Sequence, residues 1–477
     1  MKKTFIRITI FLLLLFLVLH YANSIFAFKY GDGIYSLKKF YDLEDNTVDV
    51  LVLGSSHAFE DVNTGILWEE HGIASFILAG SMQPTWNTYY YLEEALKTQT
   101  PKLIILEAFM TTYDSEYSDD SRIIKNTYGL KWSEDKIEAI KVSSPKDRWF
   151  EFLFSYAQYH TRYSSLSKED FFKNQGTPLF ENWKGFGSNM ATAELDTPNV
   201  NAVTERKDMS EKTEMYYRKI IELTLKKDIP LLIVVSPYAG ITETEQSVYN
   251  TASDISAEYG IDFINYNLLI DEIEIDFSHD VADVGHLNYR GNQKYTHALG
   301  EYIVNNYNIP DRRNNKKYKT WEFDSQYIFA QIKNQQLLES TDISTIIECM
   351  NSQEYLLFVS VDGNCNTAAP DMAVFFDTLG IPRDKGSEIW YINNKNGILY
   401  TSGAEPSRET FRLNYHDVGL SRIFDESLQK YVNSVVIDKV QYQKVVNGVN
   451  ITIYNPITQS VVDSFGFDMD DNYKLIR

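Results

Sequence analysis

Two cysteines in 477 residues, Cys349 and Cys365, are too few for a disulfide-rich scaffold, and neither stands at metal-ligand spacing. Two states stay open for them: one bridge in an exported chain, or two buried free thiols. Basic runs are missing too. Beyond Lys2-Lys3 there is no Lys/Arg-rich stretch, and 66 acidic residues against 45 basic ones leave a formal charge of −21. That balance argues against a phosphate-backbone partner, so no nucleic acid is expected. Aromatics, by contrast, are plentiful: 33 Tyr and 27 Phe suit a large core, or contacts with carbohydrate and other amphipathic surfaces. The length predicts two domains plus a tail.

The longest apolar run is N-terminal. Lys2, Lys3 and Arg7 precede an apolar stretch from Ile8 to Leu19, interrupted only by Thr9, with further apolar residues to Ala27. The inner run matches a signal-peptide core, and the whole approaches the ~20 residues of a membrane span. Ile25-Phe26-Ala27-Phe28 is a poor small-residue cleavage site, which favours an uncleaved anchor. The basic flank then places the N-terminus in the cytoplasm and the bulk of the chain outside a cell membrane crossed once.

From Thr47 to Phe109 the pattern alternates strand and helix: Val48–Gly54, Ile73–Leu78 and Lys102–Glu107 as strands, Thr85–Leu96 as a helix. After an aromatic-rich excursion over residues 110–205 the alternation resumes. It gives helices over Glu211–Lys227, Gln246–Tyr259 and Tyr289–Tyr307, and strands over Pro230–Pro237 and Ile261–Ile264. Such alternation predicts an α/β fold with a doubly wound parallel sheet. The expected boundaries are an anchor over 1–29, the α/β domain over 30–310, a polar linker over 311–322, and an α+β domain over 323–477. In that last domain, strands are expected at Tyr355–Val361, Ile389–Ile392, Val449–Tyr454 and Ser460–Asp463, with a helix near Met372–Leu379. Asp362, Asp371 and Asp377 read there as solvated turn and helix-start charges.

The stretch Val48-Asp-Val-Leu-Val-Leu-Gly-Ser-Ser-His57 carries the chemistry. It reads as a buried strand that stops at Gly54 and turns into a helix, where a serine is exposed beside free backbone N–H groups. A serine nucleophile needs a base, and the base needs an orienting carboxylate. Asp283-Val-Gly-His286, just before the last helix of the α/β domain, offers both. The carboxylate can brace Nδ1 and leave Nε2 facing the serine. Taken alone, each piece is also an ordinary turn or surface loop. His279, Asp280, Asp283 and His286 could instead ligate a metal, but the serine–histidine reading already uses the last two. No metal, nucleotide or other cofactor is called for.

Together, Gly54-Ser-Ser-His57 and Asp283-x-x-His286 resemble the SGNH (GDSL-type) hydrolase superfamily. With His286-Leu-Asn-x-x-Gly291 and Tyr159-His-Thr-Arg-Tyr-Ser-Ser-Leu166, the likeness narrows to its membrane-anchored branch, which serves bacterial cell-surface polymers. It covers about residues 45–308 and implies a three-layer α/β/α domain. It further implies Ser56 as nucleophile, His286 as base, Asp283 as its orienter, and the N–H groups of Ser56 and Gly80 as the oxyanion hole. A membrane-bound O-acyltransferase as partner is implied by the family alone. One departure stands out. After the third strand the family carries a Gly-x-Asn, and here Leu106-Glu-Ala-Phe-Met-Thr-Thr112 holds no asparagine. Gln83, Asn87, Thr111 or Thr112 are candidate substitutes, and His57 and Asn288 are candidate substrate contacts.

Phe358-Val-Ser-Val-Asp-Gly363, Ala373-Val-Phe-Phe-Asp-Thr-Leu-Gly380 and Ile389-Trp-Tyr-Ile-Asn-Asn-Lys-Asn-Gly397 resemble the interleukin-like EMT inducer domain. Gly448–Pro456 is similar to that domain's opening strands, so the order would be permuted, and the likeness implies binding without catalysis. The expectation is therefore a membrane-anchored extracellular esterase or O-acyltransferase acting on a cell-envelope glycan or teichoic-type polymer. The competing expectation is an inert SGNH-like protein that binds or assembles such a polymer.

Overall fold

Five short apolar runs form one parallel sheet: β1 Val50–Gly54, β2 Ser75–Ala79, β3 Leu103–Glu107, β4 Leu231–Val235 and β5 Asp262–Asn265. Their order is β2-β1-β3-β4-β5. All neighbours are parallel, with Gly54 opposite Ala79, Leu53 opposite Leu106 and Glu107 opposite Val234. The first four strands are buried throughout, as unbroken Val/Ile/Leu runs require when helices cover both faces. β5 lies at the edge and is only partly covered, which is why its apolar pattern is short.

The computed structural model describes residues 2–154, 156–171, 183–362, 370–382 and 388–477. The chain divides into two compact units, Met1–Ser325 and Gln326–Arg477, and the division falls inside the helix Lys319–Glu339. In the first unit the step from β1 to β2 goes one way across the sheet and the later steps go the other. Right-handed crossovers therefore put the helices Ser56–Asp61 and Thr64–His71 on one face, and Thr85–Ala95, Glu211–Lys226 and Glu243–Glu258 on the other. Packing agrees: Thr64–His71 lies against the closing helix Gly291–Asn306, and Thr85–Ala95 against Glu211–Lys226. Glu243–Glu258 begins three residues earlier than periodicity alone predicts. Thr242 and Glu245 form a reciprocal capping box there, satisfying two of the first free N–H groups.

The N-terminal helix runs from Lys2 to Phe26, and Lys3–Phe26 is long and apolar enough to cross a membrane. The chain then passes into the first unit. Arg162 donates to the Phe26 and Ala27 carbonyls at 3.1 and 2.5 Å and pairs with Asp170, as does Lys29.

The second unit is antiparallel. Six strands run in the order Lys474–Ile476, Ser460–Asp468, Gly448–Asn455, Leu356–Asp362, Ile389–Asn393, Gly397–Thr401. A separate four-stranded sheet uses Ser407–Leu413, His416–Asp425, Lys430–Ile437 and Val440–Gln441, none of which the apolar pattern marks out. The two central strands bury one face, with Val418, Leu420, Val435 and Ile437 in a common apolar cluster, and the outer residues carry many charges. One expectation is corrected. Asp362 is buried, not solvated: its carboxylate accepts from the Asn433 N–H and from Asn450 Nδ2, at 3.1 and 3.2 Å. Burial pushes its pKa up, partly offset by those donors. Cys349 is a free thiol 3.4 Å from Ser340 Oγ, while Cys365, Gly363 and the Asp371 side chain lie outside the described residues.

Candidate active site

Gly54 ends β1 with φ +153°, and a Cβ there would sit 2.8 Å from Glu107 Cβ and 3.1 Å from Ala58 Cβ. Only glycine allows so tight a turn from strand into helix. Ser55 caps the helix in an extended conformation, and Ser56 is its first residue, at the sheet's carboxyl edge. The leading N–H groups of such a helix lack an intrahelical acceptor and point outward. β2 ends beside this turn, since Gly54 pairs with Ala79, and Gly80 follows at once. The structure thus brings Ser56 and Gly80 to neighbouring strand ends.

On the loop before Gly291–Asn306, His286 Nε2 lies 2.8 Å from Ser56 Oγ. The His286 Nδ1 lies 3.0 and 3.2 Å from the two Asp283 oxygens. With Nδ1–H donating to the carboxylate, Nε2 is left to accept from the serine hydroxyl. Asp283 Oδ1 also accepts the N–H groups of Gly285 and His286, at 2.7 and 3.0 Å, so the carboxylate holds both the loop and the ring. Partial burial alone would raise the Asp283 pKa. The Gly285 N–H and the His286 ring more than offset this and hold it below the usual carboxylate value. Ser56 is buried at 8 % exposure, whereas the Asp283 side chain is half exposed.

Several neighbours escaped sequence reasoning. Asp61, five residues after Ser56 on the same helix, is fully buried and accepts the Leu287 N–H at 2.9 Å. It therefore ties the helix that bears the serine to the loop that bears the histidine. Burial drives its pKa well above the normal range. Burial also raises the Glu60 pKa, against the pull of the adjacent His286. Glu107 closes β3 beneath the Gly54 turn; its Oε1 accepts the Phe109 N–H at 3.0 Å and its Oε2 is buried without a hydrogen-bond partner. Burial raises its pKa to about 8. Asn126, on the helix Asp120–Thr127, crowds Gly80: a Cβ on Gly80 would meet Asn126 Oδ1 at 2.1 Å. An asparagine thus does stand at Gly80, from the excursion after β3 with no local motif to announce it, but its oxygen faces the glycine and its Nδ2 donates to the Ser81 carbonyl at 3.3 Å.

The candidate contact residues are placed as follows. His57 is buried; its ring stacks on Phe109 with centroids 3.9 Å apart, meets Tyr238 edge-on, and lies 5.2 Å from the His286 ring. Burial, with a smaller push from the neighbouring His286, lowers its pKa well below normal. Gln83 is buried beside Gly80 and donates to Thr88 Oγ1. Asn87 lies deeper and accepts from Ser143 Oγ. Thr111 and Thr112 donate back to the Ala108 and Phe109 carbonyls, at 2.7 and 2.9 Å. Asn288 is fully buried, donating to the His279 and Val281 carbonyls and accepting from the Arg290 and Gly291 N–H groups. Its amide is spent on the loop that carries the histidine. His279 pairs with Asp276 and Asp280 with Lys294, and among the described residues no group of three or more His, Cys, Asp or Glu could hold a metal ion.

No family model and no curated protein matches the chain. A solved structure of a candidate acylhydrolase from Bacteroides fragilis NCTC 9343 overlaps 56 % of this chain and 94 % of its own, at 10 % identity and a TM-score of 0.28. A likeness that slight carries no weight for function.

Proposed function

We propose that the protein is a membrane-anchored, extracellular serine esterase or O-acyltransferase of SGNH type, acting on a cell-envelope glycan or teichoic-type polymer. The observation that carries this reading is the unbroken relay from Ser56 Oγ through His286 to Asp283, at 2.8 and 3.0 Å. His286 Nε2 takes the hydroxyl proton as Ser56 Oγ attacks an acyl carbonyl, and Asp283 stabilises the imidazolium that forms. Negative charge on the tetrahedral oxygen is met by the N–H groups of Ser56 and Gly80. Collapse breaks the ester bond, the leaving alkoxide takes the proton from His286, and the acyl group stays on Ser56. Water or a polymer hydroxyl then gives its proton to His286 and removes the acyl group by the reverse path.

The second unit serves polymer binding in this scheme, and a membrane-bound O-acyltransferase is the partner that would supply acyl groups. One observation favours an inert polymer-binding protein instead: Thr111 and Thr112 are tied to backbone carbonyls where the family places its third oxyanion donor. A fluorophosphonate probe separates the two. The enzyme reading requires covalent labelling of the full-length protein that Ser56→Ala abolishes; a wild type that stays unlabelled leaves only the inert reading.

A further inference from the structure

The helix Trp149–Leu153 splits its aromatic side chains between two faces. Phe152 is fully buried, in a cluster that includes Ile123, Ile124, Phe28 and Tyr30. Phe150 and Phe154 point away from it, 69 % and 56 % exposed, with their rings tilted against each other and centroids 4.4 Å apart. The next turns add Tyr163 and Phe171, 75 % and 53 % exposed. Four large exposed aromatics within 22 residues are an unusual concentration for a water-facing surface.

Their location explains them. The segments Tyr156–Tyr159, His160–Ser164 and Lys168–Phe171 are the ones that pack around the N-terminal helix where it meets the first unit. That helix is exposed along its length up to Tyr21 and first becomes buried at Ile25. A Tyr grouped with three Phe where a membrane-length helix leaves the bilayer suits a membrane–water interface, the Tyr ring at headgroup level and the Phe rings buried in the upper acyl boundary. Arg162 and Lys29 share Asp170 at the same place, so charged groups there pair internally.

We propose that Phe150, Phe154, Tyr163 and Phe171 form a collar seated in the headgroup and upper acyl region of the outer leaflet. This rests on the membrane-anchored reading of Lys3–Phe26. The collar also orients the site. The Ser81 N–H, one residue past Gly80, donates to Asp32 Oδ2 at 2.8 Å. Six residues separate Asp32 from Phe26, and a chain covers at most ~3.5 Å per residue, so the Gly80 edge of the sheet lies within about 25 Å of the helix end. The carboxyl edge of the sheet, with Ser56, is thereby held near the lipid surface.

Single nitroxide labels on the full-length chain in phosphatidylcholine/phosphatidylglycerol vesicles test this, with Cys349 and Cys365 replaced by serine. Cysteines at Phe16, Phe154, Tyr163 and Leu225 report the helix, the collar twice, and the helix that leads into the amino edge at β4. Collisions with oxygen relative to a water-soluble nickel chelate measure depth. The labels at 154 and 163 are expected to exceed that at 225 by roughly threefold or more, with 16 higher still. If 16 lies in the bilayer while 154 and 163 match 225, the collar is refuted and the anchor stands. Protection of 154 and 163 from both reagents means a protein covers them, which also refutes the collar. A label at 16 as wet as that at 225 removes the anchor reading itself.

Discussion

Replacing Glu107 by glutamine should stabilise the protein, and by an amount that depends on pH. The carboxyl is fully buried beneath the Gly54 turn, with one oxygen bonded to the Phe109 N–H and the other in no close hydrogen bond, though the Ser236 N–H and the Ser55 hydroxyl lie near enough to moderate the effect of burial. Burial raises its pKa from 4.5 to about 8. Between those two values the native state keeps the proton while the unfolded chain has released it. Stability therefore falls as pH rises through that window and levels off above it. The slope is ~1.4 kcal/mol per pH unit, which gives ~3 kcal/mol between pH 5 and 7 as an upper limit. Glutamine keeps the acceptor for Phe109 and cannot ionise, so Glu107→Gln should gain on the wild type steadily from pH 5 to 7. Hydrogen exchange at the β3 amides, corrected for the intrinsic effect of pH, reads the first unit alone. A wild-type/variant difference that is flat with pH would refute an uncharged Glu107.

Three further outcomes follow from the same geometry. Asn126→Ala removes the Nδ2 donor to the Ser81 carbonyl, one residue past Gly80, and should lower kcat for an activated ester by up to ~10² through displacement of the Gly80 turn, with KM little changed. Gly54→Ala places a methyl against Glu107 and Ala58 at a φ unfavourable for side chains; urea unfolding should show a loss of ~1–3 kcal/mol. Asp61→Asn keeps an acceptor for the Leu287 N–H and should retain most of the probe-labelling rate. Asp61→Leu strands that N–H, costs ~1–3 kcal/mol, and should slow labelling by loosening the Ser56–His286 contact.

The parts of the site legible in the sequence are those fixed by local chemistry. A Val/Leu run that stops at glycine makes a buried strand with a tight turn, and Asp283-x-x-His286 spans a loop short enough for the carboxylate to reach its own histidine. Residues that meet only through packing left no such trace. Asn126 arrives at Gly80 from a helix in the irregular excursion, and Glu107 looks like the end of any apolar strand until the Gly54 turn closes over it. Asn288 was misleading for a related reason: beside His286 in sequence, it spends its amide on holding the loop together. In the second unit the strands over 407–441 show weak apolar alternation because Arg422 and Asn433 share the buried face with Val418, Leu420, Val435 and Ile437, while Ile423 and Phe424 are exposed. Asp362 looked solvated because its partners, Asn433 and Asn450, lie more than seventy residues further on.

The central claim is that Ser56 carries an acyl group in the course of reaction. Rapid acid quench of full-length protein mixed with p-nitrophenyl acetate, followed by peptide mass spectrometry, tests it most directly. An acetyl adduct on Ser56 is expected, absent in Ser56→Ala and formed far more slowly in His286→Ala. An adduct on another residue, or the same adduct yield in His286→Ala, would contradict the account.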